Sequence, residues 1–271
     1  MTPTTDLLRR LFFYQSAYHA EQWRDRDGQV GYSPACENRF SEACRAGGYR
    51  CADCPDRAPT PLTDERLEAH LSGRRVTLGA YQMRDDPGGA GVGWGCLDVD
   101  ADQDTDHARG LARELTTLLV GCLRQTGLSP YVEFTGNKGF HVWLFVPDGC
   151  PARDMRRLLE WAAGSVQEEH GEFAGVHVEV FPKQDALRGP GDYGNLVKVP
   201  LGRHKKTGHR CVFVDEEWKP YRDQAEFLAG VTTHTAAEIA EALAEWVPEE
   251  PQRPPSAAVT KTGRLAKSTR E

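Results

Sequence analysis

From residue 76 onward the chain alternates between short apolar runs and long helical stretches, and this alternation limits the fold more than any other feature. Strands are expected at 76–81, 94–99, 131–134, 140–146, 176–181, 196–200 and 211–214. Between them, Leu111, Leu115, Leu118, Leu119 and Leu123 recur at helical spacing and predict a helix over 106–125. A second helix is expected over 152–169. A third is expected over 236–246, where Thr235 and Glu238 have the spacing of a capping box. There is no internal repeat.

The N-terminal part reads differently. Leu7, Leu8, Leu11, Phe12 and Tyr18 give an apolar stripe and predict a helix over 5–24. Thr63 is placed to cap a short helix ending at His70 or Leu71, with Asp64 and Glu65 in its first turn. Residues 25–60 carry Gly, Pro, Cys and charge with little periodicity, and such a segment is expected to need a metal or a staple to order. The tail from Pro248 is proline-rich and then basic, and is expected to be a disordered tail or a linker.

At 271 residues with 27% charged side chains, the composition is that of a soluble protein. No apolar run approaches the roughly 18 residues a membrane span needs, and the N-terminus has no basic-then-apolar signal pattern. The expected setting is therefore the reducing cytoplasm, away from membranes and without disulfides. The net charge of -7 argues against a protein coated in nucleic acid. Against that average stands a basic strip, Lys183, Arg188, Lys198, Arg203, Lys205, Lys206 and Arg210, which suits a local phosphate site.

Four constellations carry chemistry. Asp98 and Asp100 close an apolar run two positions apart, so both carboxylates share one face of a strand. Like charges that close favour a cation such as magnesium or manganese, although a solvated strand end gives the same pattern. An EF-hand loop is excluded, because Thr105 stands where that loop needs glycine and Leu111 where it needs glutamate. Next, Gly136 and Gly139 flank Lys138 ahead of a strand carrying His141. The turn can approach an anion, and its bland alternative is a solvated lysine with a structural histidine. Third, Glu179 alternates with valines and shares a face with His177, where a carboxylate is costly unless paired, metal-bound or on a solvated edge. Last, Gly194 and Asn195 lead through Lys198 into the basic loop of Arg203 and His204, which fits a triphosphate or a nucleic-acid backbone.

In this order the four resemble the archaeo-eukaryotic primase superfamily, the primase-polymerases. Its motifs are a strand with Asp-x-Asp, a small-residue turn into a strand with x-His, and a third strand with one acid. Asp98-Val-Asp100, Lys138-Gly-Phe-His141 and Glu179 match them. The strings from Phe181 to Asp185 and from Gly194 to Gly202 are similar to the primases of TOTE conflict systems and their CRISPR-associated relatives. In many relatives the third acid is an aspartate at the place of Val178; here Glu179 is the acid.

The resemblance implies an α+β fold: an RRM-like catalytic core over 76–247, preceded over 1–75 by a helical and zinc-binding module. It implies template-dependent primer synthesis and extension by two-metal nucleotidyl transfer, with Asp98, Asp100 and Glu179 holding Mg2+ or Mn2+. His141 joins the catalytic set, and Lys138, His141, Lys198, Arg203 and His204 bind the nucleoside triphosphate. The implied partners are single-stranded or primed DNA template and, in a mobile-element or CRISPR context, a helicase or nuclease. The alternatives are a gap-filling or end-joining polymerase of the same superfamily, or a metal-dependent nuclease.

Cys36, Cys44, Cys51 and Cys54 are separated by seven, six and two residues. The last pair has a usual knuckle spacing and the first is wider than in common fingers. Relatives carry a similar cluster, which implies a structural zinc on these four thiols, with His70 as an alternative fourth ligand. Cys96, Cys122, Cys150 and Cys211 sit among apolar neighbours and read as core residues.

Overall fold

The computed structural model describes residues 3–14, 18–39, 41–42, 44, 51–73, 76–189 and 192–248. Beyond Pro248, the tail expected at 248–271 lies outside the described residues. The fold is mixed α+β, with two antiparallel sheets and helices segregated from them. Among the described residues no helix is long and apolar enough to cross a membrane.

The stripe of Leu7, Leu8, Leu11 and Phe12 forms α1 (Pro3–Phe12) and ends there. The helix expected over 5–24 is thus a correction: its second half contains strand β1 (His19–Arg24). β1 has partners on both sides, β2 (Val30–Pro34) and β3 (Leu78–Tyr81), and two ladders of hydrogen bonds outweigh a few tenths of a kcal/mol per residue of helical propensity. β9 (Leu196–Lys198) completes this sheet in the order β2-β1-β3-β9. The sheet therefore runs across the boundary expected near residue 75. The described residues within 25–60 are pinned by pairing as well. Cys36 bridges Pro59, and the Glu37 amide donates to the Ala58 carbonyl at 2.9 Å.

The larger sheet follows the order β10-β6-β7-β5-β4, with β8 also paired to β5. Its strands are β4 (Met83–Asp86), β5 (Gly89–Ala101), β6 (Tyr131–Phe134), β7 (Gly139–Pro151), β8 (Val176–Phe181) and β10 (Val212–Val214). β5 and β7 form its spine, and β4 and β8 share the two ends of one edge of β5.

Alternation divides the sheet into two faces. Leu97, Val99, Val142 and Leu144 pack with α3 (Asp106–Gln125), α4 (Ala152–His170) and α6 (Ala236–Trp246) through Leu115, Leu119, Met155, Leu159 and Ile239. Each fully buried apolar side chain there contributes about 1.5–3 kcal/mol. Thr105 caps α3, its hydroxyl accepting from the Ala108 amide, and Thr235 with Glu238 forms the expected capping box on α6. On the opposite face Trp94, Cys96, Trp143 and Phe145 pack beneath α1 and the back of the small sheet, through Leu8, Phe12, Leu78, Ala80, Val197 and Val199. α2 (Asp64–Ser72), capped by Thr63, and α5 (Gln224–Ala229), capped by Asp223, buttress this second core. Further along β5 the same face emerges from the core, carrying Asp98 and Asp100.

Candidate active site

One row of cross-strand pairs builds the site. Glu133 on β6 lies opposite His141 on β7, His141 opposite Asp98 on β5, and Asp98 opposite Glu179 on β8. Directly opposed residues project to the same side of a sheet, so a single register places all four on one face. Asp100 follows two positions on, opposite Gly139. A Cβ at Gly139 would strike the Asp100 carboxylate, so glycine is what allows the close approach.

Above the row lies a cavity of about 720 Å3, closed on its far side by the front of the small sheet. That front follows from register: Tyr32, Gln22, Tyr81, Leu196 and Lys198 project the same way. Asp98, Asp100, Glu179, His141, Lys198 and His204 all line the cavity. Lys138 and Arg203 do not. Lys138 donates to the Asp102 carbonyl at 2.7 Å, and Arg203 donates to the Gly208 carbonyl at 2.8 Å with its stem against Gly73. His177, on the Glu179 face in sequence terms, pairs with Asp102 at 2.9 Å and stays outside.

The electrostatics are those of a crowded acidic floor beside fixed cations. Burial acts to raise the Asp98 carboxyl, but His141, at 3.5 Å, together with Lys198 and Lys183 outweighs it and leaves it below the usual range. Asp100 is raised, by burial and then by the charge of Asp98. Burial acts to lower the His141 imidazole, and the Glu133 and Asp98 carboxylates overcome it and raise it. His204 goes the other way. Burial, then Lys198 and Lys206, push it down to about 4, and its Nδ1 accepts from the Thr207 amide at 3.3 Å. A neutral His204 offers hydrogen bonds to a phosphate and no charge. Lys198 is held by the Thr135 carbonyl at 2.6 Å.

The donor set fits a hard divalent cation: carboxylate oxygens only, with Asp100 raised by burial and then by the charge of Asp98. Among the described residues no three carboxylate, imidazole or thiol groups stand ready-spaced around an ion, either here or at Cys36, Cys44, Cys51 and Cys54. Glu179 is turned instead onto Lys183, whose ammonium lies 2.8 Å from its Oε2.

Cys36, Cys44, Cys51 and Cys54 line a second cavity, of about 390 Å3. All eight cysteines are free thiols. Burial raises the Cys51 thiol, and Cys44, Cys36 and Cys54 raise it further, as mutually repelling sulfurs do. Cys51 and Tyr193 line both cavities. His70 is no alternative ligand. It is fully buried, its Nδ1 accepts from the Leu78 amide at 3.1 Å, and its Nε2 lies 2.8 Å from the Pro200 carbonyl.

The family described as the archaeo-eukaryotic primase domain of TOTE conflict systems matches residues 4–242. The chain belongs to this family. No curated protein matches this primase-family chain. Solved structures similar to it include the polymerase domain of Mycobacterium tuberculosis ligase D in complex with DNA, 13% identical over 89% of this chain and 88% of that one, with a TM-score of 0.46. The archaeo-eukaryotic primase domain of the cyanophage S-2L primase-polymerase is 15% identical over 83% and 92%, with a TM-score of 0.37. The catalytic domain of primase Repb' in complex with initiator DNA is 13% identical over 90% and 95%, with a TM-score of 0.34.

Sequence reasoning missed three residues of this primase-family site. Glu133 reads as an ordinary strand glutamate until the β6–β7 register is known. Lys183, four positions after Glu179, gave a usable signal as the first member of the basic strip. Tyr193, stacked on Tyr81 at 5.0 Å, gave none, because nothing in the sequence joins the loop before β9 to β3.

Proposed function

We propose that the chain is a template-dependent primase-polymerase that makes primers and extends them by nucleotidyl transfer. One observation carries the reading: the carboxylates of Asp98, Asp100 and Glu179 share a cavity with Lys198 and His141, and the cavity has the volume of a small-molecule site. Membership of the primase family supports it.

In this reading Asp98, Asp100 and Glu179 hold Mg2+ or Mn2+. Ions held there would supply Lewis-acid stabilisation of the phosphoryl group and activation of a hydroxyl nucleophile. The chain's own groups do the rest. Lys198, fixed by the Thr135 carbonyl, neutralises the triphosphate, and His141 donates to it from beside Asp98. Tyr81 and Tyr193, stacked at 27°, offer the nucleoside an apolar wall. Single-stranded or primed DNA is the proposed template. The four soft thiols that share the second cavity suit a structural zinc, which would tie the 36–54 segment to the small sheet.

The test is a labelled primer–template incubated with Mn2+, with and without nucleoside triphosphates. Elongation that requires triphosphate supports the reading. Shortening of the strand without triphosphate overturns it in favour of a nuclease. Elongation with no synthesis on unprimed single strands restricts it to a gap-filling polymerase.

A further inference from the structure

The row of the active site begins one residue before its chemistry does. Glu133 is fully buried, 0% exposed, among Phe213, Tyr131 and Trp143. Its Oε2 accepts from His141 Nδ1 at 2.8 Å and from Trp143 Nε1 at 2.9 Å, while its Oε1 is buried without a hydrogen-bond partner. A buried carboxylate is an expensive way to fill such a space. Well-packed apolar residues of similar volume are often as stable or more so. The dyad opens in one direction only, through His141 Nε2, which faces Asp98 at 3.5 Å and the cavity.

We propose that Glu133 is a positioning residue that sets the orientation of His141 at the cavity. The two hydrogen bonds to one oxygen hold the imidazole edge and the indole edge together. The rings then meet edge to face at 90° with centroids 5.3 Å apart, so the imidazole is held against the indole as well as at Nδ1. With Nδ1 committed to Glu133, Nε2 is the atom that meets the contents of the cavity. This is the arrangement by which carboxylates orient histidines in front of ligands generally. The proposal rests on reading the cavity as a triphosphate site, since that is what His141 would be aimed at.

The experiment uses E133L and E133Q, each alone and combined with H141A. ATP and dATP are titrated onto each protein with Mn2+, and the histidine ring nitrogens are followed by 15N NMR. E133L is expected to weaken triphosphate binding about tenfold, the scale of one charge-assisted hydrogen bond, and to lose the hydrogen-bonded Nδ1–H signal of His141. In the H141A background it should cost nothing further, because a residue that acts only through His141 has no route left. E133Q, whose amide oxygen can accept from both rings, should retain the Nδ1–H signal, and it keeps the test available if E133L does not fold. Equal losses in both backgrounds overturn the proposal, as does wild-type affinity in E133L or loss of the signal in folded E133Q. If wild type binds neither nucleotide, the triphosphate reading fails, and the ring signal still decides whether Glu133 sets His141.

Discussion

Glu179 and Lys183 lie four residues apart and meet at 2.8 Å, with the lysine ammonium 4.7 Å from the ring of Phe181 between them. The lysine thus competes with any cation for the outermost carboxylate of the row. Lys183→Met should free Glu179 and raise Mn2+ affinity about fivefold, the equivalent of roughly 1 kcal/mol for a partly exposed pair. Glu179→Gln should lower it. Manganese titration checks both, and unchanged affinity in both variants would remove Glu179 from the metal site.

Asp98→Asn and Asp100→Asn should each reduce primer extension at least about 100-fold, equivalent to roughly 3 kcal/mol of transition-state stabilisation. Neither should unfold the protein. The Asp100 carboxyl is raised in the fold by burial and by Asp98, so its ionised form opposes folding above the carboxylate range. Removing that charge should leave Tm at pH 7 unchanged or higher, as calorimetry would show.

Lys198 lines the cavity and Arg203 does not. Lys198→Met should weaken triphosphate binding by about 1–3 kcal/mol. Arg203→Met should have a clearly smaller effect, since its guanidinium is spent on the Gly208 carbonyl. Equilibrium titration of both variants separates cavity geometry from the general charge of the basic strip, which would predict equal losses.

His70 should make the fold acid-sensitive. Burial lowers its pKa from 6.5 to about 4, so between those values the unfolded chain takes up a proton that the folded chain refuses. Stability from this residue is complete above about pH 6.5 and falls as pH drops towards 4, by about 3 kcal/mol in all. Denaturant unfolding of wild type and His70→Gln across this range should show the steeper decline in wild type; parallel curves would clear His70.

Purified protein should carry one zinc per chain, lost in Cys51→Ser or Cys54→Ser. Metal analysis decides this directly. Because Cys51 and Tyr193 line both cavities, nucleotide affinity should be measured on the same variants. A zinc-free preparation with full activity would end the zinc proposal.

The sequence carried the spine of the fold because its signals there are local. The leucine stripe of α3, the Thr235–Glu238 box and the runs at 131–134 and 176–181 each depend on neighbours within a few positions. At β1 it misled: a strand held by partners on both sides reads there as the second half of a helix. β1 has Trp23 and Glu21 among its residues and no alternation a reader would notice, yet it is fixed by β3. The site divided the same way. Asp98 and Asp100 declare themselves by spacing. The partnership of Glu133 with His141 requires the register of two strands, and Arg203, prominent in the charge run, turns its side chain away from the cavity.

β3 is paired on one side with β1, well before it in the chain, and on the other with β9, well after it. The wall facing the carboxylates is therefore assembled from widely separated parts of the polypeptide. Closing the cavity thus depends on pairings that are slow to form because they are distant in sequence.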